Sequence, residues 1–305
     1  MKIAIFGGTG MLGFAIAKFL SLNGFYVDII SRKPTKYLNK QKYKGFNIIE
    51  KLDEHTNYNI CINLAGLSIF RRWSDANKKK FLLSRTCFFG KIIDYSLKSG
   101  NKFELIINGS AIGFYPDNPG VVDEYSKSEI TNNSFSQQLC VAVEKESLRL
   151  KKISNQLINI RTGIVIAKEG GFLTRLLPSF KLGLGSIIGC GKQYMSWIDI
   201  NDFCRAVLFI IVNKNKFEDL DFINFTAPNF VTNEEFSKEF AIALHRPCVF
   251  KIPKLMVKLI FGQMGAELML CSQKVYPKKL IDAGFQFINN TLPQSIKSNI
   301  NNKSL

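Results

Sequence analysis

The chain opens Met1-Lys2-Ile3-Ala4-Ile5-Phe6-Gly7-Gly8-Thr9-Gly10-Met11-Leu12-Gly13, an apolar run that breaks into closely spaced glycines. Lys2 to Phe6 is a short apolar run that ends in glycines, as a buried parallel strand does. From Met11 to Leu22 apolar residues recur at helical spacing, and Asn23-Gly24 stops the helix. Between strand and helix, Gly7 permits a tight turn, Gly10 lets backbone approach a pyrophosphate, and Gly13 lets the helix pack on the strand. The helix N-terminus adds free N–H groups and a positive dipole end for phosphates. A glycine triplet alone is weak evidence; in a strand-turn-helix context it points to a bound dinucleotide.

Working outward, strands are predicted at Tyr26 to Ser31, Asn47 to Glu50, Ile60 to Leu64, Leu105 to Ile107 and Leu157 to Arg161. Helices are predicted from Asp75 to Leu97 and from Ser134 to Lys152. Strands alternating with helices imply an α/β fold, a Rossmann-type doubly wound parallel sheet over residues 1–162. After Thr162 the pattern loosens, with glycines at Gly170-Gly171 and from Gly183 to Gly191, then a helix from Ile200 to Val212. Phe222 to Phe225 reads as a later strand, near 221–226, that returns to the edge of the first sheet. Residues 163–305 are otherwise expected to form a smaller α+β domain on the substrate side.

The end of the second strand selects the cofactor. It reads Ile30-Ser31-Arg32-Lys33, with no acidic side chain at its tip to accept hydrogen bonds from ribose hydroxyls. A guanidinium and an ammonium there suit a 2′-phosphate, so NADP(H) is expected. Asp28 competes for the ribose but lies inside the strand.

Composition narrows the remaining classes. The 305 residues, 46% hydrophobic and 21% charged, are those of an ordinary globular protein. The net charge of +17 comes mostly from lysines spread along the chain, with short runs such as Lys78-Lys79-Lys80. This reads first as a solvated surface, with no specific nucleic-acid partner expected; a role bound to nucleic acid or anionic lipid is the outlying alternative. Seven scattered cysteines without a C-x-x-C pair look like reduced thiols, and the two histidines, His55 and His245, fit no metal pattern. The stretch from Leu255 to Cys271 is too interrupted, by Lys258, Gly262, Gln263, Gly265 and Glu267, to span a membrane. With no signal-peptide pattern at the N-terminus, a cytoplasmic protein is expected, with a small-molecule substrate and a homodimer as its candidate assembly.

Further motifs follow in order. Asn63-Leu64-Ala65-Gly66 is followed by Arg71-Arg72-Trp73-Ser74 and Ser84-Arg85, then Gly109-Ser110-Ala111-Ile112-Gly113-Phe114-Tyr115. Arg161-Thr162-Gly163-Ile164-Val165 and Met195-Ser196-Trp197-Ile198-Asp199-Ile200-Asn201-Asp202 come next, with Thr226-Ala227-Pro228-Asn229 and Leu244-His245-Arg246-Pro247 last. Together, over nearly the whole chain, they resemble the atypical extended short-chain dehydrogenase/reductases of the epimerase family, the YfcH-like proteins. The resemblance implies NADP(H) as ligand, with Gly7, Thr9, Gly10, Met11, Leu12 and Gly13 at the pyrophosphate. It places Arg32 at the 2′-phosphate and Leu64, Ala65 and Gly66 along the adenosine, with Ser31 also among the cofactor-binding residues. Relatives carry names of sugar-nucleotide epimerases or oxidoreductases, and some cyanobacterial and plastid ones are named as division factors. The implied function is an oxidoreductase or epimerase on a small polar or nucleotide-linked substrate. The alternative is a non-catalytic NADP(H)-binding regulator or scaffold, related to division.

The catalytic residues are the open part. Short-chain dehydrogenases generally pair a tyrosine with a lysine four residues later, whose ammonium lowers the phenol pKa. None of the nine tyrosines has a lysine at that spacing. The corresponding helix carries Cys140 and Glu144 instead, and a carboxylate one turn from a thiol opposes its ionisation. Ser110 either reaches the nicotinamide or hydrogen-bonds local backbone. Tyr115 is either a proton donor or a packing group at the cofactor rim. Arg71, Arg72 and Trp73, in the loop after the fourth strand, are candidates for gripping a substrate phosphate or carboxylate, with solvated arginines and a helix-capping indole as the structural reading. Gln193, Ser196 and Trp197 are weaker substrate candidates; Cys140 is read as core and His245 as structural.

Overall fold

In β1 (Lys2–Phe6) alternate side chains leave opposite faces, so Ile3 and Ile5 enter one apolar core while Ala4 and Phe6 enter another. A strand buried on both sides needs helices on both faces. The computed structural model, which describes residues 1–36, 45–126, 134–218 and 221–301, supplies them. The chain continues through α1 (Met11–Leu22), β2 (Tyr26–Ile30), β3 (Phe46–Ile49) and β4 (Ile60–Asn63). Next come α2 (Asp75–Ser99), β5 (Phe103–Ala111), β6 (Val121–Val122), α3 (Phe135–Ser147) and β7 (Ser154–Thr162). The second half begins with β8 (Ile164–Ile166), α4 (Gly171–Lys181), β9 (Ser186–Ile188), β10 (Tyr194–Met195), β11 (Trp197–Asp199) and α5 (Ile200–Val212). It closes with β12 (Phe222–Phe225), β13 (Val231–Thr232), α6 (Asn233–Ala243) and β14 (Phe250–Ile252), followed by α7 (Lys254–Leu268), β15 (Lys274–Val275), α8 (Lys278–Asp282) and α9 (Leu292–Asn301).

Seven strands form one sheet in the order β3-β2-β1-β4-β5-β7-β12, with every neighbouring pair parallel. The chain runs outward from β1 to β3 and then resumes on the other side at β4. The order therefore reverses between β1 and β4, and the crevice at their carboxyl ends is where such sheets bind ligands. This is a Rossmann-type α/β fold. Helices α1 and α5 cover one face with Ile16, Leu20, Phe203, Val207 and Ile210. On the other face Phe89 and Ile92 of α2 pack with Leu150 and Ile153.

Helix α5 and strand β12 have the predicted limits. The third helix does not: α3 stops at Ser147 and a 3-10 segment, Leu148–Ile153, carries the chain into β7. There the i,i+3 pair Leu150 and Ile153 must face one core, the spacing at which a 3-10 turn eclipses side chains. Both α5 and β12 return to the sheet, so the chain after residue 163 is shared between the sheet and a second core. That core joins α4, α6 and α9 around Phe180, Trp197, Phe236 and Phe240.

Candidate functional site

The glycine loop is shaped by contact as much as by conformation. Gly7 takes φ +76°, and a Cβ on it would stand 2.6 Å from the backbone of Leu64 and Ala65. A Cβ on Gly13 would meet the Gly7 carbonyl oxygen at 2.5 Å. Gly10 caps α1 and offers no side chain to its N–H groups, whereas α2, α3, α5 and α6 begin with Ser74, Ser134, Asp199 and Thr232, whose oxygens accept from the first turn. The start of α1 thus keeps donors for a ligand. It opens on a cleft of about 980 Å³ lined by Gly7, Thr9, Gly10, Ser31, Arg32, Leu64, Ala65 and Gly66 among others. Met11, Leu12 and Gly13 lie just behind the lining. Met11 packs toward the Gly170-Gly171 turn, where a Cβ on Gly171 would come within 2.8 Å of its sulfur, and Leu12 packs on the sheet core.

One end of this cleft is basic. Arg32 stands exposed there, and Lys33, Lys36, Lys51, Lys91 and Lys98 join it across a wall that also carries Glu50, Glu54 and Asp94. The last three of those lysines belong to β3's outlet and to α2, and their convergence is tertiary, invisible to a local motif. Asp28 is withdrawn from the cleft. Its carboxylate accepts from the Tyr58 hydroxyl at 2.7 Å and from Asn47 Nδ2 at 2.9 Å, and pairs with Lys2 at 3.1 Å. The loop after β4 is fixed from below: Leu67 N–H donates to Ser84 Oγ at 3.0 Å, and the half-buried Arg85 guanidinium donates to the Leu67 and Phe81 carbonyls. The Ser84-Arg85 motif therefore holds the cleft wall.

At the carboxyl end of β5, Ser110 Oγ donates to Glu144 Oε1 at 2.7 Å. Glu144 also takes Nε and Nη2 of Arg161 at 2.9 and 2.8 Å, an ion pair with side chains only 3% and 13% exposed. Arg161 Nη1 reaches on to the Tyr115 hydroxyl at 3.2 Å. That hydroxyl lies 2.9 Å from Asn224 Oδ1 and 3.1 Å from the Asp123 carbonyl. Burial pushes the Tyr115 phenol upward against the opposing pull of Arg161. The Cys140 thiol is pushed up to about 12, first by burial and then by Glu144. The structure thus brings Ser110, Cys140, Glu144 and Tyr115 together, with Arg161 and Asn224 as members that no local spacing announced.

The remaining candidates are dispersed. Arg71 and Arg72 are exposed, while Trp73 donates Nε1 to the Ile69 carbonyl at 2.8 Å and stacks edge-on against Phe135. Gln193 is buried and donates to the carbonyls of Ile188 and Met269. Trp197 is 1% exposed within the second core, with no hydrogen-bond partner for its indole nitrogen among the described residues. Ser196 accepts from Val275 N–H and donates to the Gln273 carbonyl. None of these six lies on the cleft wall described above, and neither do Ser110 and Tyr115. His245 takes a left-handed φ of 52° at the exposed turn after α6. Among the described residues no group of three His, Cys, Asp or Glu side chains is placed to hold a metal ion, and no helix is long and apolar enough to cross a membrane.

Comparison with known proteins agrees with this geometry. Residues 3–224 match the NAD dependent epimerase/dehydratase family, and residues 252–298 match a domain of unknown function, DUF1731. The chain is 34% identical over 296 residues to the epimerase family protein ML0860 of Mycobacterium leprae, covering 96% of this chain and 94% of that protein. It is 30% identical over 298 residues to the epimerase family protein SERP0438 of Staphylococcus epidermidis, covering 97% of each. The crystal structure of human epimerase family protein SDR39U1 (isoform 2) with NADPH superposes with a TM-score of 0.85 at 26% identity, covering 99% of this chain and all of that one. With its uncapped α1, its glycine cradle and its parallel sheet, the chain belongs to the NAD dependent epimerase/dehydratase family and is an NAD(P)-binding protein of it.

Proposed function

We propose that the chain binds NADP(H) in preference to NAD(H) and acts as an oxidoreductase or epimerase on a small polar or nucleotide-linked substrate. The observation that carries the cofactor choice is the tip of β2: Asp28 is locked by Tyr58, Asn47 and Lys2, and Arg32 stands exposed at the cleft. The residues fit the dinucleotide. Backbone donors from Gly7 to Gly13 suit its diphosphate, Arg32 with Ser31, Lys33 and Lys36 suits a 2′-phosphate, and Leu64 to Gly66 suit the adenosine. SDR39U1, solved with NADPH, supports the same choice. Once bound, the nicotinamide supplies a hydride acceptor or donor. Ser110 is the proton-handling group of this reading, since its hydroxyl sits at the sheet's carboxyl end with Glu144 behind it. Tyr115, its hydroxyl engaged by Asn224 and Arg161, serves to fix the turn after β5.

A second reading has its own observation. The Tyr and Lys positions are filled by Cys140 and by Glu144, which is neutralised by Arg161. An inert pair there suits an NADP(H)-binding regulator or scaffold, of which a division-related role is one form.

Titration with NADPH and NADH, followed by nicotinamide fluorescence in the wild type and in Arg32→Ala, tests the cofactor choice. Loss of a charge-assisted phosphate contact is expected to weaken NADPH by about 10- to 100-fold and leave NADH little changed. Equal affinity for both cofactors in the wild type sinks the NADP(H) reading. If turnover is found, its loss in Ser110→Ala at unchanged NADPH affinity separates the enzyme from the scaffold.

A further inference from the structure

Helix α7 is two segments. At Gly262 the backbone leaves helical geometry (φ +57°, ψ −139°), and only beyond it do Met264 and Gly265 enter the protein. In the first segment, residues 254–261, Val257 is buried and the other side chains are exposed. Leu255, Leu259 and Ile260 are 69%, 76% and 63% exposed, and Met256 is half exposed. The patch extends along the chain. Strand β14 leads into α7 through Pro253, and its pairing with β9 sets exposed Phe250 opposite Ser186, two residues from exposed Leu184. Isolated exposed leucines are ordinary, but a contiguous apolar end on a soluble fold marks a contact surface.

The charge of this end is mainly positive; Glu234, at the start of α6, lies near Lys251 but is paired with Lys238 at 2.7 Å. No aspartate or glutamate occurs between Glu239 and Glu267, or between Glu169 and Asp199, the two stretches that build it. Lys251, Lys254 and Lys258 stand exposed among the apolar residues.

We propose that this end of the molecule docks on an anionic lipid surface. Leu255, Met256, Leu259 and Ile260 enter the boundary between headgroups and acyl chains, and Lys251, Lys254 and Lys258 lie at the level of the lipid phosphates. The attachment is peripheral: a helical segment of eight residues is about 12 Å long, well short of the roughly 30 Å hydrocarbon core. A second copy is a poorer occupant. A two-fold contact sets the same patch against itself, which faces these lysines toward one another with no carboxylate in either stretch to neutralise them. Nucleic acid would use the lysines and leave the apolar residues in water. The proposal uses no residue of the nucleotide cleft and stands apart from the NADP(H) reading.

Vesicle flotation of the full chain tests it, with phosphatidylcholine vesicles with and without phosphatidylglycerol, at low and high salt. The expected result is binding to the anionic vesicles that weakens with salt. Lys254→Gln/Lys258→Gln should weaken it by about fivefold per lysine, and Leu259→Gln/Ile260→Gln by about tenfold or more. Far-UV circular dichroism and thermal unfolding of each variant confirm that it is folded. The proposal is overturned by failure to float, by equal binding to neutral vesicles, or by binding that neither variant changes. It is also overturned if light scattering finds a dimer that Leu259→Gln/Ile260→Gln dissolves, which assigns the patch to a second copy.

Discussion

At the scale of single residues, the Glu144–Arg161 pair is the departure that matters most for chemistry. Arg161 is held from several directions: Glu144 takes two of its nitrogens, and the guanidinium lies 3.3 Å from the Phe114 ring centre and 4.0 Å from that of Phe222. Burial alone would disfavour its charge, yet Glu144 outweighs this and raises the Arg161 pKa. A pair taken out of water gains little over an apolar substitute, but removing one partner strands the other charge. Glu144→Ala and Arg161→Ala are each expected to cost about 3–5 kcal/mol in urea unfolding at neutral pH. The double variant Glu144→Ala/Arg161→Ala should cost clearly less than the sum of the two single changes. Strict additivity of the two losses would show that the pair is not a coupled unit.

At the scale of elements, one carboxylate ties the end of α7 to the start of α3. Glu267, near the end of α7, accepts from Phe135 and Ser136 N–H at 3.1 and 2.8 Å and from the Ser134 and Ser136 hydroxyls at 3.1 and 2.7 Å. It sits on the first turn of α3, where free donors and the helix dipole favour an anion, and α3 carries Cys140 and Glu144. Burial pushes the Glu267 carboxyl up, but the donors of Ser136 and Phe135 bring it below the ordinary value. Its contribution is therefore complete above an unfolded carboxyl pKa near 4.5 and fades as pH falls through the lower folded value. Glu267→Gln is expected to lower stability by about 1–2 kcal/mol at neutral pH, discounted for partial exposure, and the gap from wild type should close in acid. A gap that is constant with pH would remove the charge from the explanation. This contact also shows where the sequence was legible. The amphipathic run of α5, with Asp199 at its start and Asn213 at its end, and the glycine loop carry their instructions locally. The Glu267 cap, the two-residue pairing of β15 with β6, and the lysines of the cleft wall are non-local, and no periodicity encodes them. Trp197 shows the converse: a large aromatic in a motif-rich stretch drew a substrate role, and the structure places it in the second core.

At the scale of the whole molecule, the question is whether the sheet and the second core unfold as one. Segments from both halves interlock around the turn after β5. Gln273 Nε2 donates to the Ile112 and Tyr115 carbonyls at 3.2 and 2.6 Å, Thr226 Oγ1 donates to the Val275 carbonyl at 2.9 Å, and β15 pairs in parallel with β6. Strand β12 and helix α5, from the chain's second half, complete the sheet and its helical cover. Opening either core exposes part of the other, so calorimetry is expected to show one cooperative transition. A ligand that binds the folded state alone raises that transition by mass action. With the proposed cofactor NADPH at about 100 times its dissociation constant, the expected gain is about 2.7 kcal/mol, a rise on the order of 5 °C for a chain of this size. Because the chain's second half contributes the clamp on the turn that ends β5, the whole endotherm should move. Two transitions, with only the lower or the upper one shifted by NADPH, would mean that the interlock is too weak to couple the cores and that nucleotide binding belongs to the sheet alone.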